Sequence, residues 1–416
     1  MEYITSKNIC LLTMDVLRLT DERIMEHGFG VSYIVYRMLE GTELFEEFEM
    51  AELSFIVSLH NIGGYRTDKV EDLLKKGYKN YMPHCIYGYL FLKNLFPVSD
   101  YGKVLLYHHM NYDQMDNVDY EFKFLSDFIH IADDAYLNFK EKGGEWDPLE
   151  LQKGVGTKYS ERAYRMLMTA LESDQIFDKL TSGEYMEELN QLMDYVLFRD
   201  DEKHKYLKML MYCTGLRSSK VVTNTATCVC VCEELSKKMD VSLVDRQRVY
   251  LSALLHDIGM LMVPSEITNK AGALTDKERD TMKSHVDKAT EVLRPRFKDQ
   301  RVVEIVSLHH ERLDGSGYPT GINGTKMDKL DRILQAADAV CGIAGARSYH
   351  AARGKNEVVQ ILKEEVEKKH LDSKVVNIMI KSYDEIEERV LNEAARILAT
   401  YRRIEKQYEA ACQKML

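Results

Sequence analysis

LLHDIGMLMVPSEITNK, residues 254–270, sets a histidine and an aspartate at the end of an apolar run and closes on Asn269 and Lys270. Two such side chains are costly to hold against a hydrophobic helix unless something compensates them, so His256-Asp257 has to face a partner. Following the histidines outward from that pair reveals an internal repeat. In the carboxy-terminal half the order is His256-Asp257, His285, the pair His309-His310, then Asp338 within ILQAADAV (333–340). In the amino-terminal half SLHNIGG (58–64) gives His60-Asn61, YMPH (81–84) gives His84, LLYHHMNYD (105–113) gives His108-His109, and HIADDAY (130–136) gives Asp133. The single histidine precedes the histidine pair by 24 residues in both halves. The other gaps differ by a few residues, as loop-length changes produce. With His27 in EHGFGV added, nine of the 13 histidines fall on this pattern; His130, His204, His350 and His370 fall off it and read as ordinary core or surface residues.

At 416 residues the chain suits about two domains of roughly 200 residues each. Apolar residues recur at three- and four-residue steps in 31–40, 246–255, 357–366 and 378–411, and six prolines interrupt them. Thr275 with Glu278 opens a helix through LTDKERDTMKSHVDKATEVL as a capping box, with Met282, Val286 and Ala289 on one face. No stretch alternates as a half-buried strand would, so the expected class is all-α. The glycine-rich segments 142–148 and 314–325 read as loops.

A net charge of −11 gives no footprint for DNA or RNA and none for an anionic membrane surface. No apolar stretch approaches the ~18 residues of a span, and the amino terminus lacks a signal-peptide pattern. The eight cysteines form no CxxC pair and suit a reducing compartment. The expectation is a soluble cytoplasmic protein. Imidazole and carboxylate together suit divalent ions such as iron, manganese or zinc, and a carboxylate can bridge two of them. Two such ions sharing a hydroxide are equipped to cleave a phosphoester, stabilising both the attacking and the leaving oxygen.

LLHDIG, the helix ending in His285, LHHERLDGSGYPTG (308–321) and ILQAADAV together resemble the HD-GYP branch of the HD-domain metal-dependent phosphohydrolases. The signature stands here as His256-Asp257 and Gly317-Tyr318-Pro319, and the likeness covers roughly 204–416. The first half resembles an HD domain of the same lineage without the GYP loop. The resemblance implies two tandem HD-type helical bundle domains, a degenerate one at 1–200 with a regulatory or dimerising role and a catalytic one at 201–416. It implies a cyclic-dinucleotide phosphodiesterase acting on cyclic di-GMP or cyclic GMP-AMP, with one or two iron or manganese ions whose shared hydroxide attacks phosphorus. A homodimer is compatible with it. Carried over residue by residue, His256 and Asp257 are catalytic and ligate the metals, Asp257 bridging; His285, His309 and His310 complete the second ion's shell, and Asp338 returns to the first. Tyr318 and Arg347 fall where the family contacts the dinucleotide.

The departures are specific. The family's opening histidine lands on Asn224, a weak metal ligand, with Cys228 one helical turn later and Lys220 one turn earlier. Met260 stands where a phosphate-binding lysine is expected, and His350 where a basic residue is. In the first half His27 occupies the opening position, but Asn61 replaces the bridging carboxylate, leaving His27, His60, His84, His108, His109 and Asp133 as a vestigial site for one ion or none. The incomplete first position also admits a silent protein that binds the dinucleotide without cutting it.

Overall fold

The computed structural model describes residues 3–66, 70–75, 80–97, 100–143, 146–215, 219–270, 272–344 and 353–415. Among them the structure is helical, with no strand beyond an isolated bridge between Val155 and Tyr159. The chain separates into two units, Ile9–Lys205 with Arg402–Leu416, and Met1–Asn8 with Tyr206–Tyr401.

In the first unit the helices that carry or lead into the histidines and Asp133 are α1 (Glu22–Leu39), α2 (Glu47–Ser58), α3 (Met82–Leu95), α4 (Val104–Tyr107) and α5 (Lys123–Lys142). Asp21 caps α1 by accepting from Arg23 N, and α2 opens on a capping box between Glu46 and Glu49. Ile34, Val35, Phe55, Ile56, Phe91 and Phe128 are fully buried between them. Each such side chain contributes about 1.5–3 kcal/mol by leaving water.

The corresponding helices of the second unit are α6 (Ser219–Lys238), α7 (Leu243–Leu255), α8 (His285–Leu293), α9 (Gln300–Ser307) and α10 (Lys329–Ala344). Ser242 caps α7 through Asp245 N, and Asp299 caps α9 through Arg301 N. Cys232, Leu235, Val249, Ala253, Ile333 and Ala337 form their shared core. A close backbone approach recurs in both units. A Cβ at Gly63 would collide with the carbonyl oxygen of His84, and one at Gly259 with that of His285. Glycine therefore sets how near the His-Asn or His-Asp turn comes to the next histidine.

Two helices expected to be continuous are broken. The helix beginning at Thr275 has its capping box, but it ends at Lys283, and α8 starts afresh at His285. Ser284 makes the break, its hydroxyl donating to Thr281 O at 2.7 Å in competition with the helical ladder. The apolar run 378–411 divides into Ser373–Lys381 and Tyr383–Met415 around Ser382. Tyr383 and Ile386 join the core, Ile378, Ile380 and Val390 pack against it, and Leu391 is 64% exposed. Loop 314–325 needs positive φ at Gly315 (85°) and Gly321 (67°), and its Tyr318-Pro319 bond is cis.

Candidate metal centre

In the second unit each expected ligand stands at a helix end or on the helix beside it. His256 caps the end of α7, with Asp257 following. His285 opens α8, His309 and His310 follow the end of α9, and Asp338 lies in α10. Helix ends leave carbonyls without intrahelical partners. The histidines use such groups: His256 Nδ1 donates to Ala253 O at 2.8 Å, His285 Nδ1 to Met282 O at 2.7 Å, and His309 Nδ1 to Val306 O at 2.6 Å. A carbonyl can only accept, so each Nδ1 carries the proton and each Nε2 is turned toward the cluster as the coordinating nitrogen.

These nitrogens converge. His256 Nε2 lies 3.2 Å from Asp257 Oδ2 and 3.6 Å from Asp338 Oδ1; His285 Nε2 lies 3.6 Å from Asp257 Oδ1, and His310 Nδ1 3.3 Å from Asp338 Oδ2. His285, His309 and His310 each offer a nitrogen within 4.8 Å of the others and could hold a metal ion. His256, His285 and His309 are 2% exposed or less. Burial, and then His310 beside it, hold His309 well below the usual imidazole range. Burial and His285 push His310 down to about 3. His256 differs. Burial opposes its charge, yet Asp257 and Cys228 raise it, so a proton on this ring offsets the carboxylates when no other cation is there. His256 Nε2 has no aligned hydrogen-bond partner among the described residues. A buried nitrogen flanked by two carboxylates, 3.2 and 3.6 Å away, is a position that fits a metal.

Asn224 is half-buried on α6. Cys228, one turn on, is fully buried; burial pushes its thiol up, but the Cys232 and Cys341 thiols and His256 hold it below the usual thiol range. Tyr318 borders the cluster, its ring 4.7 Å from that of His310 at an interplanar angle of 33°. Arg347 and His350 lie outside the described residues.

Sequence reasoning missed two neighbours. Lys283 Nζ stands 5.3 Å over the Tyr318 ring. Its place two residues before His285 was the available signal. Glu311 is 1% exposed, and its Oε1 accepts from Thr320 N and Thr320 Oγ1, both at 2.7 Å, and from Gly321 N at 3.0 Å. Gln335 donates in turn to Glu311 O. Glu311, the residue that follows the histidine pair, thus ties the Tyr318 loop to the end of that pair.

The first unit repeats the geometry with different charge. His60 Nδ1 donates to Val57 O at 2.9 Å and His108 Nδ1 to Leu105 O at 2.7 Å. His27 Nε2 lies 2.6 Å from Asp133 Oδ1, His60 Nε2 4.0 Å from the same oxygen, and His109 Nδ1 3.7 Å from Asp133 Oδ2. His84 Nε2 and His108 Nε2 are 3.4 Å apart. His27, His60 and Asp133 form one group that could hold an ion, and His84, His108 and His109 another. His130, expected to be an ordinary core histidine, is 3% exposed with its ring 5.7 Å from that of His109.

Residues 209–375 match the family model of the HD domain. The chain is 27% identical over 379 residues to 3'3'-cGAMP-specific phosphodiesterase 1 of Vibrio cholerae, covering 86% of this chain and 87% of that protein. It is 30% identical over 168 residues to a cyclic di-GMP phosphodiesterase of Thermotoga maritima, covering 40% of each. A solved structure of a cyclic GMP-AMP specific phosphodiesterase of V. cholerae superposes with a TM-score of 0.59 at 15% identity, over 92% of this chain and 98% of that one. At that identity the likeness is one of fold. Among the described residues no helix is long and apolar enough to cross a membrane.

Proposed function

We propose, from the match of residues 209–375 to the HD-domain family model, that the second unit is a metal-dependent phosphodiesterase hydrolysing a cyclic dinucleotide, cyclic GMP-AMP or cyclic di-GMP. The observation that carries the reading is the convergence of His256 Nε2 on Asp257 and Asp338 and of His285 Nε2 on Asp257, with His309 Nε2 3.3 Å from that of His285 and all three Nδ1 protons directed to carbonyls.

His285, His309 and His310 would hold one ion, His256 and Asp338 the other, and Asp257 would bridge; iron or manganese suits this mixed set. A bound divalent ion would lower the pKa of a water and stabilise charge on the phosphate oxygens. The chain does the rest. The two carboxylates offset cationic charge in a buried place, and the carbonyl-locked rings keep their lone pairs aimed without reorganisation. Tyr318 offers an apolar face for a base or ribose, Arg347 a guanidinium fork for a phosphate, and Lys283 the cation that Met260 does not supply. The same reading has the protein act in the cytoplasm as a homodimer, with the first unit as a non-catalytic partner.

Asn224 supports a second reading, in which the first ion is missing and the dinucleotide is bound uncut. Turnover decides between them. Anaerobically purified protein loaded with manganese or iron should linearise one of these dinucleotides, and Asp257→Ala should abolish the reaction. Retention of intact ligand by a fully metallated sample would establish the silent protein instead.

A further inference from the structure

We propose that His370 is a positioning residue for loop 314–325, holding the amino end of that loop only while its imidazole carries both protons. The loop's contact with a cyclic dinucleotide rests on the function proposed above; the clamp does not. His370 lies in the turn between α11 (Lys355–Glu367) and α12 (Ser373–Lys381), where Lys369 takes a φ of 60°. Its carbonyl accepts from Leu313 N at 3.2 Å and from Gln335 Nε2 at 3.0 Å, which fixes the turn against the residue before the loop and against α10. Its side chain is 16% exposed and stands between two carboxylates, with Glu365 Oε2 2.7 Å from Nδ1 and Asp314 Oδ2 3.6 Å from Nε2.

An ionised carboxylate can only accept, so each of these contacts needs a proton on the ring nitrogen that faces it. A neutral imidazole has one N–H, and Glu365, the nearer partner, takes it. Nε2 then turns a lone pair to Asp314 Oδ2, and the ion pair becomes a repulsion. Histidine is the side chain that passes between these two states in the physiological range. The clamp needs the proton, so it is complete at low pH and is lost as pH rises through the titration of His370. Both acids are charged throughout. Hydrogen bonds from Ser316 N and Oγ, and then His370, hold Asp314 below the usual carboxylate range. Burial pushes Glu365 up, but His370 and then Lys368 outweigh it and hold it below that range. The cations nearby belong to the same acids or their neighbours: Lys368 pairs with Glu365 at 3.3 Å, Arg332 with Asp372 at 2.7 Å, and the charge of Arg312 also lowers Asp314.

The place of the clamp gives it leverage. Glu311 holds the loop at Thr320 and Gly321, and Arg332 donates to Gly324 O at 2.6 Å. His370 supplies the hold at the other end, through Leu313 N and Asp314, and Tyr318 lies between the two. Releasing Asp314 frees the side of the loop that leads into the tyrosine.

The test follows amide hydrogen exchange of loop 314–325 in the full, manganese-loaded chain at pH 6 and pH 8, with each rate corrected for intrinsic exchange. The variants are His370→Gln, which keeps a donor and the backbone contacts but does not titrate, and Asp314→Asn, which keeps an acceptor for Ser316. From the lower to the higher pH, loop protection in wild type should fall about two- to fivefold more than in either variant, the size of a partly exposed ion pair. The cluster histidines titrate in all three proteins, so this difference isolates His370. KM for cyclic GMP-AMP or cyclic di-GMP should rise with pH by a similar extra factor in wild type, with one kcat profile shared by all three. Equal loss of protection in wild type and His370→Gln, or loop protection that does not change with pH in wild type, overturns the proposal. Exchange needs no turnover, so a wild-type-specific fall in a protein that cuts no cyclic dinucleotide would keep the clamp and sink the phosphodiesterase reading alone.

Discussion

His285 Nε2 lies 3.3 Å from His309 Nε2, although each ring has already given its Nδ1 proton to a backbone carbonyl. Two lone pairs facing each other at that distance, inside a region excluded from water, repel unless a proton or a metal ion sits between them. The folded chain is therefore under local electrostatic strain that a bound metal ion would relieve. His309→Ala is expected to lower metal affinity by about 100-fold or more, since even outer partners of a ligand are worth 10–100-fold. Chelation should lower the melting temperature of wild-type protein and leave that of the variant less affected. Equal melting temperatures with and without metal in the wild type would contradict this.

The position of Asn224 gives an opposite, restorative prediction. Asn224 and Cys228 are one turn apart on α6, and the charges of His256 and Asp338 act on the Cys228 thiol, His256 lowering it and Asp338 raising it. Asn224→His should add an imidazole at the sparser side of the cluster and raise the metal content of the second unit by about one ion. If a second ion limits the reaction, kcat should rise about tenfold or more, which is 1.4 kcal/mol of barrier. Elemental analysis beside steady-state kinetics checks both; unchanged metal content would show that this face does not reach the ion.

What could be read from the chain was order, and what could not was charge balance and contact. The succession of His256-Asp257, His285, His309-His310 and Asp338, repeated at His60-Asn61, His84, His108-His109 and Asp133, marked the side chains that the fold draws together, because each falls at a comparable place on its helix. Helical periodicity found the helices but not the breaks at Ser284 and Ser382, where a local hydroxyl or turn bond competes with the ladder without altering the apolar pattern. The roles of Lys283 and Glu311 were missed for a different reason. Their roles depend on the path of loop 314–325, which the sequence marks as glycine-rich and leaves otherwise unspecified.

Gly259 offers a test of that positional argument. A side chain there would strike the His285 carbonyl, with Ala289 N 2.9 Å away, so α8 has to retreat. Gly259→Ala is expected to cost about 1–3 kcal/mol and to displace His285 from Asp257. The loss of metal affinity should exceed what the stability change alone explains. Gly272→Ala, whose added methyl meets nothing within 4 Å, is the matched control and should alter neither. Denaturant midpoints and metal titration of the two variants separate these outcomes.

Glu311 should act on substrate binding through the loop. Its Oε1 receives three hydrogen bonds from Thr320 and Gly321, and Tyr318 N donates to His310 O at 3.2 Å, so the tyrosine is held from both sides. Removing the carboxylate leaves two backbone N–H groups and a hydroxyl without their acceptor, at about 1–3 kcal/mol for each that stays buried. Glu311→Ala is therefore expected to raise KM for the cyclic dinucleotide about tenfold or more while metal content stays at the wild-type level. Tyr318→Ala should raise KM similarly, and the double variant little further, because both changes remove the same contact. Additive effects, or a loss of metal with Glu311→Ala, would show that the carboxylate serves the ion cluster rather than the loop.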